Sequence, residues 1–362
     1  MFMAYPRRGL SVAAAVTALV LASCATPEPE PAPAPPPPPS PPPAVNLNEG
    51  VAQAASIYVA FMREAGTIRA GFDSAEAIQA AIRKGASYEP AQLSRGMIAY
   101  GSILALQSPE FVQGVRTYAA DPVQRQQMIA RILADPAAAA TFPGADAAAG
   151  LIVDTIGRDS AAMMLIAEAV EEDAYTIQGR GDPRRRWATV HISDRVTRLE
   201  GAKSLSAVQM LPSAEESARL FAAANNGSGL GVGPARSGPP YTPAVIRSLA
   251  VAALAALGAG GDDARASTEA LTVEQNSEFC LNMSKLMLFQ CLAASRPSYE
   301  DMFCVGRHVA RDLATCTAQN ITPAPPELPL TAVAGGAPEQ TPVAAEAAAA
   351  STAATASLNN GG

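Results

Sequence analysis

The sequence predicts an all-α protein, either a helical bundle or stacked helix pairs, with a disulfide-stapled helical hairpin near the C-terminus. Apolar residues after Asn46 recur at spacings of three and four, as in amphipathic helices. Proline stands repeatedly just after a capping residue, which marks a helix start because proline at the first helical position loses no hydrogen bond. Residues 187–192 are the one candidate for a strand.

These signals place the helices in order along the chain. The start signals are Ser108-Pro109, Asp121-Pro122, Asp135-Pro136 and Thr242-Pro243. Ser213 and Ser298 each stand three residues before an acidic residue, which is the spacing of a capping box. The predicted helices cover residues 48–65, 73–85, 90–107, 109–119, 122–134, 145–178, 184–204, 213–225, 243–258, 267–295 and 299–317. Their short connections favour a compact bundle or stacked pairs.

The N-terminus has the features of a secretory signal. Two arginines precede an apolar run over residues 10–21, and small residues precede Cys24. The stretch Leu21-Ala22-Ser23-Cys24 resembles the lipobox of bacterial lipoproteins, which implies that residues 1–23 are removed and that Cys24 carries lipid. One alternative is an uncleaved membrane anchor, but a spanning helix needs roughly 20 apolar residues. Another is an ordinary signal cut elsewhere, with Cys24 incidental.

The same resemblance implies a location. Alanine follows Cys24, whereas in enterobacterial lipoproteins an aspartate at this position tends to retain the protein at the inner membrane. We therefore expect attachment through the N-terminal lipid at the periplasmic face of the outer membrane. Buried acyl chains contribute roughly 0.8 kcal/mol per methylene, so two or three of them hold a protein firmly.

Composition divides the rest of the chain. The expected segments are a signal peptide at 1–23, a lipidated cysteine with a proline-rich tether at 24–46, a helical domain at 47–211, a helical region at 212–320 and a disordered tail at 321–362. Extended polyproline in the tether would reach about 60 Å. The second helical region contains a flexible glycine-rich loop at 226–240 and a four-cysteine hairpin at 280–316. The apolar run from 244 to 258 reads as a buried helix.

The four remaining cysteines predict two nested disulfides, because exported proteins form them by default. Cys280 and Cys291 stand on one predicted helix, where eleven residues rise about 16 Å and bonding needs Cα atoms within about 7 Å. A turn at residues 296–298 would place cysteines that are symmetric about it side by side. The expected pairs are therefore Cys280–Cys316 and Cys291–Cys304. Zinc is the alternative, although the spacing is too wide for a zinc knuckle.

One detail of the hairpin requires an adjustment. The twelve residues from Cys304 to Cys316 overshoot the helix face by roughly 120° at 100° per residue. The second helix of the hairpin is therefore expected to bend, near Gly306, or to end before Cys316.

No motif for catalysis, metal or cofactor binding is apparent. The chain has two histidines, and neither a nucleophile elbow nor a reactive-cysteine signature accompanies them. The chain carries 26 Lys and Arg against 33 Asp and Glu, which argues against a nucleic-acid partner. The one basic and aromatic cluster comprises Arg184, Arg185, Arg186 and Trp187. It could contact anionic lipid or acidic wall peptides, or it could be an exposed helix turn with Trp187 in the core.

The sequence thus favours a lipid-anchored envelope protein without catalytic activity. Its expected role is that of a scaffold or accessory subunit for an outer-membrane or cell-wall assembly, with an envelope protein as partner. An enzyme acting on cell wall or lipid, and a carrier of an apolar ligand, are the alternatives. A cleft holding carboxylates of shifted protonation would favour the enzyme, and an enclosed apolar pocket would favour the carrier.

Overall fold

A computed structural model describes residues 41–323, apart from Gly181 and Ser228. The signal peptide, Cys24 and most of the predicted tail lie outside these residues. The described part is helical as predicted and contains two isolated bridges but no strand. The α-helices are α1 Glu49–Ala65, α2 Ala75–Ala86, α3 Pro90–Ala105, α4 Pro109–Arg116, α5 Pro122–Ala134, α6 Ala145–Arg180, α7 Arg195–Ser206, α8 Ala214–Asn226, α9 Pro243–Ala256, α10 Arg265–Leu271, α11 Gln275–Ala294, α12 Ser298–Val305 and α13 Asp312–Ile321.

Most predicted start signals cap helices in the structure. Ser108, Asp121, Ser213 and Thr242 each accept a hydrogen bond from a first-turn amide. Asp135 does the same for a 3₁₀ turn, Pro136–Thr141. The expected capping box at Ser298 is wrong, because α12 begins after Pro297 without a side-chain cap.

Two apolar clusters make up the interior of the described part of the chain. The larger one gathers α1, α3, α9 and the first half of α6, and α9 is buried along most of its length, as its continuous apolar sequence predicts. The smaller one joins α2, α11, α12 and the second half of α6. The larger cluster takes residues from both predicted helical segments, so the boundary near residue 211 does not separate two cores. No helix in the described residues is long and apolar enough to cross a membrane.

Helices α1 and α3 are in close contact at Gly96. A Cβ atom there would lie 2.6 Å from the Ala54 carbonyl oxygen and 3.0 Å from Tyr58 Cβ.

Since the backbone of α1 cannot move aside easily, Gly96→Ala is expected to lower the free energy of unfolding by about 1–3 kcal/mol. Gly201→Ala on α7 is the control: its Cβ meets nothing within 4 Å, so the gain in helix propensity should stabilise by about 0.5–1 kcal/mol. Denaturant unfolding distinguishes the two, and equal effects would contradict this packing.

Two predicted helices are interrupted. The helix expected at 184–204 is a 3₁₀ turn, Pro183–Thr189, followed by an extended link and then α7. The link leaves the helical path because its backbone bonds to a distant turn, with Ile192 N donating to Arg296 O at 2.8 Å. The helix expected at 267–295 is divided into α10 and α11, because the Glu274 carboxylate accepts from two amides and starts a new helix.

The last residues of the predicted tether belong to the folded body. Arg116 Nη1 donates to Pro43 O at 2.8 Å, and Asn46 N donates to Ala255 O at 3.0 Å. Gly258 turns the chain at a φ of +72°, where a Cβ would meet the Pro43 ring at 2.6 Å. The tether predicted to end at residue 46 therefore ends before residue 43.

The glycine-rich loop at 226–240 is partly fixed, in contrast to the expected flexible loop. Arg236 bonds to Asp146 and to Glu110, each at 2.6 Å. Ser237 N donates to Asp146 O at 3.0 Å. A Cβ at Gly150 would lie 2.4 Å from the Ala235 backbone, so the loop lies directly on α6. These partners are distant in sequence, and the loop's own composition gives no sign of them.

Candidate functional site

The stapled hairpin is the framework of the candidate site. A disulfide joins Cys280 to Cys316, another joins Cys291 to Cys304, and each pair has its Cα atoms 5.7 Å apart. This is the nested pairing that the sequence predicts. Helix α11 forms one arm, and α12, a π-helical segment and α13 form the other. The two bonds therefore clamp both ends of the hairpin.

The π-helical segment Gly306–Arg311 resolves the mismatch of helix phase. A π turn takes about one residue more than an α turn. One additional residue between Cys304 and Cys316 offsets about 100° of the roughly 120° overshoot, so both cysteines face α11. The bend predicted near Gly306 is therefore a change of helical type. Gly306 itself lies against α6, where a Cβ would meet Glu171 N at 3.0 Å.

The turn of this hairpin holds the extended link before α7. Ile192 N donates to Arg296 O at 2.8 Å, and Ser298 N donates to Val190 O at 3.3 Å. Arg195 Nε donates to Ser295 O at 2.7 Å. The link at residues 190–194 thus runs alongside the turn as a short bridged segment.

A buried ion pair lies beneath the link. Arg198 Nη1 on α7 and Asp301 Oδ2 on α12 are 2.6 Å apart, and both side chains are about 2 % exposed or less. Asp301 also accepts from Ser295 Oγ at 2.6 Å and from Gln79 Nε2 at 3.0 Å. Burial raises the pKa of Asp301 above its usual value, although the hydrogen bond from Ser295 and the charge of Arg198 oppose the shift. The pair connects α2, α7 and the hairpin.

A buried lysine ties the same elements together from the other end. Lys285 Nζ on α11 donates to Ala86 O at 3.1 Å and to Ser206 O at 3.3 Å. These carbonyls end α2 and α7, where the helix dipole favours a cation. The ammonium also lies 4.1 Å from the centre of the Tyr88 ring. Burial lowers the pKa of Lys285 to about 7.

A groove of about 660 Å³ lies between the N-terminus of α2 and the link. Asp73, Glu76 and Asp194 contribute three carboxylates to its lining, and Arg83 contributes one guanidinium. Trp187 and residues 190–193 form the facing wall. Gln79 lines the groove and donates to Asp301, so the wall of the groove rests on the buried ion pair. We call this cavity the acidic groove.

The structure divides the predicted basic and aromatic cluster. Arg184 and Arg186 are exposed. Arg185 is half-buried and paired with Asp173 and Asp182. Trp187 packs against the smaller apolar cluster and lines the acidic groove. Two arginines therefore remain as a surface for contact, while Trp187 belongs to the groove.

Sequence reasoning did not find the acids of the groove. Asp73, Glu76 and Asp194 share no local motif, and Asp301 appeared only as part of an expected capping box. Asp73 and Glu76 are neighbours near the start of α2, but the approach of Asp194 to them depends on the pairing of the link with the hairpin turn. Among residues 41–323, apart from the two gaps, no group of three His, Cys, Asp or Glu side chains could hold a metal ion.

Comparison with protein-family models, curated proteins and solved structures found no match to this chain.

Proposed function

We propose that the protein is a lipid-anchored periplasmic component of the bacterial envelope, acting as a non-catalytic scaffold or accessory subunit of an outer-membrane or cell-wall assembly. The two disulfides carry this proposal. Cytosolic thiols are kept reduced, whereas periplasmic cysteines are oxidised. A hairpin whose two arms are held by Cys280–Cys316 and Cys291–Cys304 therefore suits the periplasm, the compartment that the resemblance to a lipobox implies.

The acidic groove is the proposed docking site for the partner. Its lining carries three carboxylates against one guanidinium, so it would attract a basic segment and disfavour an acidic wall peptide or lipid headgroup. Trp187 places an amphipathic ring beside these charges. Tryptophan is enriched among the residues that contribute most of the binding energy at protein interfaces. The partner would present lysine or arginine next to an apolar side chain. One wall of the proposed docking face is supported from within, because Gln79 donates to Asp301 of the buried ion pair.

Site-specific photo-crosslinking tests the docking site. The full lipidated chain, with p-benzoylphenylalanine in place of exposed His191 in the groove, should crosslink to one envelope protein in native membranes. The sequenced partner peptide should contain lysine or arginine. The same probe in place of exposed Val123 on α5 is the positional control.

Charge reversal makes the test specific. Asp194→Lys is expected to reduce the His191 crosslink at least tenfold, since it replaces an attractive charge by a repulsive one. The matched change Asp263→Lys, at an exposed position outside the groove, should leave the crosslink unchanged. Identical crosslinks from both probe positions, or a crosslink indifferent to Asp194→Lys, would rule out the groove as the docking site.

A further inference from the structure

A second cleft, of about 350 Å³, lies between α1, α3, α6 and α8. It shares no lining residue with the acidic groove. Met62 and Met163 form its apolar wall, and Tyr100 places an aromatic ring beside them. Three charged side chains line the same space, namely Arg63, Asp159 and Arg219. The cleft therefore combines an apolar surface with charges of both signs.

The two arginines are positioned by one buried carboxylate. Glu216 Oε2 is 3.1 Å from Arg63 Nη2, and Glu216 Oε1 accepts from Arg219 Nε at 3.1 Å. Burial of Glu216 opposes ionisation, but hydrogen bonds from Arg219 and Arg63 outweigh it and lower the pKa of this carboxyl. Both guanidiniums stay about half exposed or more. Each has five N–H donors, so donors remain for an anionic group in the cleft.

The opposite charge is that of Asp159 on α6. Burial raises its pKa to about 6, and the charge of Arg158 opposes the shift. Tyr58 lies close enough that Asp159, after burial, raises the pKa of its phenol. The Tyr58 hydroxyl is buried. The carboxyl of Asp159 is thus a poorly solvated acceptor at the cleft.

From this arrangement we propose that the cleft binds a small zwitterion. The ligand's ammonium group contacts Asp159, its anionic group contacts Arg63 and Arg219, and its apolar part lies against the two methionines. A purely cationic ligand would meet two guanidiniums, and a purely anionic ligand would meet Asp159. With Asp159 ionised, the two arginines, Glu216 and Asp159 sum to zero charge, which matches a neutral ligand of separated charges.

Two kinds of ligand carry an ammonium group and an anionic group close together. One is an amino acid or the end of a peptide, and the other is the ethanolamine phosphate headgroup of a lipid. Calorimetry on the full chain at pH 7.5 should use L-methionine, a methionine dipeptide and glycerophosphoethanolamine, whose phosphodiester carries one negative charge, with propylamine and propionate as controls of single charge. At least one zwitterion should bind at least tenfold more tightly than both controls. Preference for methionine or the dipeptide would indicate an amino acid, and preference for glycerophosphoethanolamine would indicate a headgroup. Equal or undetectable binding of all five compounds would overturn the proposal.

The variant Asp159→Asn provides a second test of the proposed binding site. It should weaken zwitterion binding at least tenfold, while Asp263→Asn on the surface should not. In the wild type, affinity should fall as the pH drops through about 6, because Asp159 takes up a proton; in Asp159→Asn it should stay level. The groups around Asp159 are Tyr58 and Arg63 on α1, Tyr100 on α3, Arg158 on α6, and Glu216 and Arg219 on α8.

Thermal unfolding shows whether this variant is folded. Burial holds the folded-state pKa of Asp159 at about 6, above the usual value for an aspartate, so the ionised carboxylate costs stability above pH 6 and little at pH 4. The melting temperature of Asp159→Asn should therefore exceed that of the wild type at pH 7.5 and equal it near pH 4. A folded variant that binds as tightly as the wild type would overturn the proposal.

Discussion

Replacing Cys280 and Cys316 by alanine is expected to lower the free energy of unfolding by about 4 kcal/mol. The bond closes a loop with a sequence separation of 36 residues, and in the chain-entropy model the cost of losing it grows with loop length. Replacing Cys291 and Cys304, separated by 13 residues, should cost about 3 kcal/mol. Guanidinium unfolding without reductant measures both values.

Reduction supplies the control for this series. With a strong reductant present, the wild type should lose the advantage it holds over each double-alanine variant, because the loops are then open in all of them. Loss of the inner bond should also speed hydrogen exchange at the amides of Ile192 and Ser298, which pair the link with the hairpin turn. Unfolding midpoints that do not change on removal of either bond would contradict the stapled framework.

Arg198→Met is expected to lower the free energy of unfolding by about 3–5 kcal/mol, because it leaves the carboxylate of Asp301 buried without its cation. Hydrogen bonds from Ser295 and Gln79 remain, so the lower end of this range is favoured. The difference in the free energy of unfolding between wild type and variant should decrease as the pH falls, since protonation then neutralises Asp301 in the folded variant. Chemical denaturation at pH 7.5 and pH 4.5 measures both effects.

Arg195→Met on the same helix is the matched control. Arg195 donates to carbonyl oxygens near the end of α11 but pairs with no acid, so its loss should cost only about 1 kcal/mol. A double change, Arg198→Met with Asp301→Leu, should recover much of the stability, because apolar replacement of a buried ion pair is often neutral. If Arg198→Met lowered the free energy of unfolding no more than Arg195→Met does, the buried ion pair would not be what supports the wall of the groove.

Local sequence signals predicted a large part of this fold. An N-cap followed by proline fixed helix starts at Ser108, Asp121 and Thr242, because both effects act within one turn. The spacing of the cysteines about a short turn predicted the hairpin and its nested bonds. Even the departure from α geometry near Gly306 follows from helix phase, although its form as a π segment does not.

Features set by distant partners could not be predicted in this way. The break before α7 exists because residues 190–195 bond to the hairpin turn about a hundred residues later. The glycine-rich loop is held by Arg236 and by the close approach of Gly150, again across long separations. The acidic groove and the cleft lined by Arg63, Asp159 and Arg219 each bring together charges from separate parts of the chain. No local sequence pattern indicates that these side chains lie close together in the fold.

The proposed envelope role requires export followed by lipid attachment at Cys24, and mass spectrometry of the N-terminal peptide detects both steps. In protein purified from native membranes, the first residue should be Cys24 with diacylglycerol on its thiol, and Cys24→Ala should release the folded body from the outer-membrane fraction. An N-terminus that retains residues 1–23, or a Cys24 thiol without lipid, would contradict the proposed location and the envelope role with it.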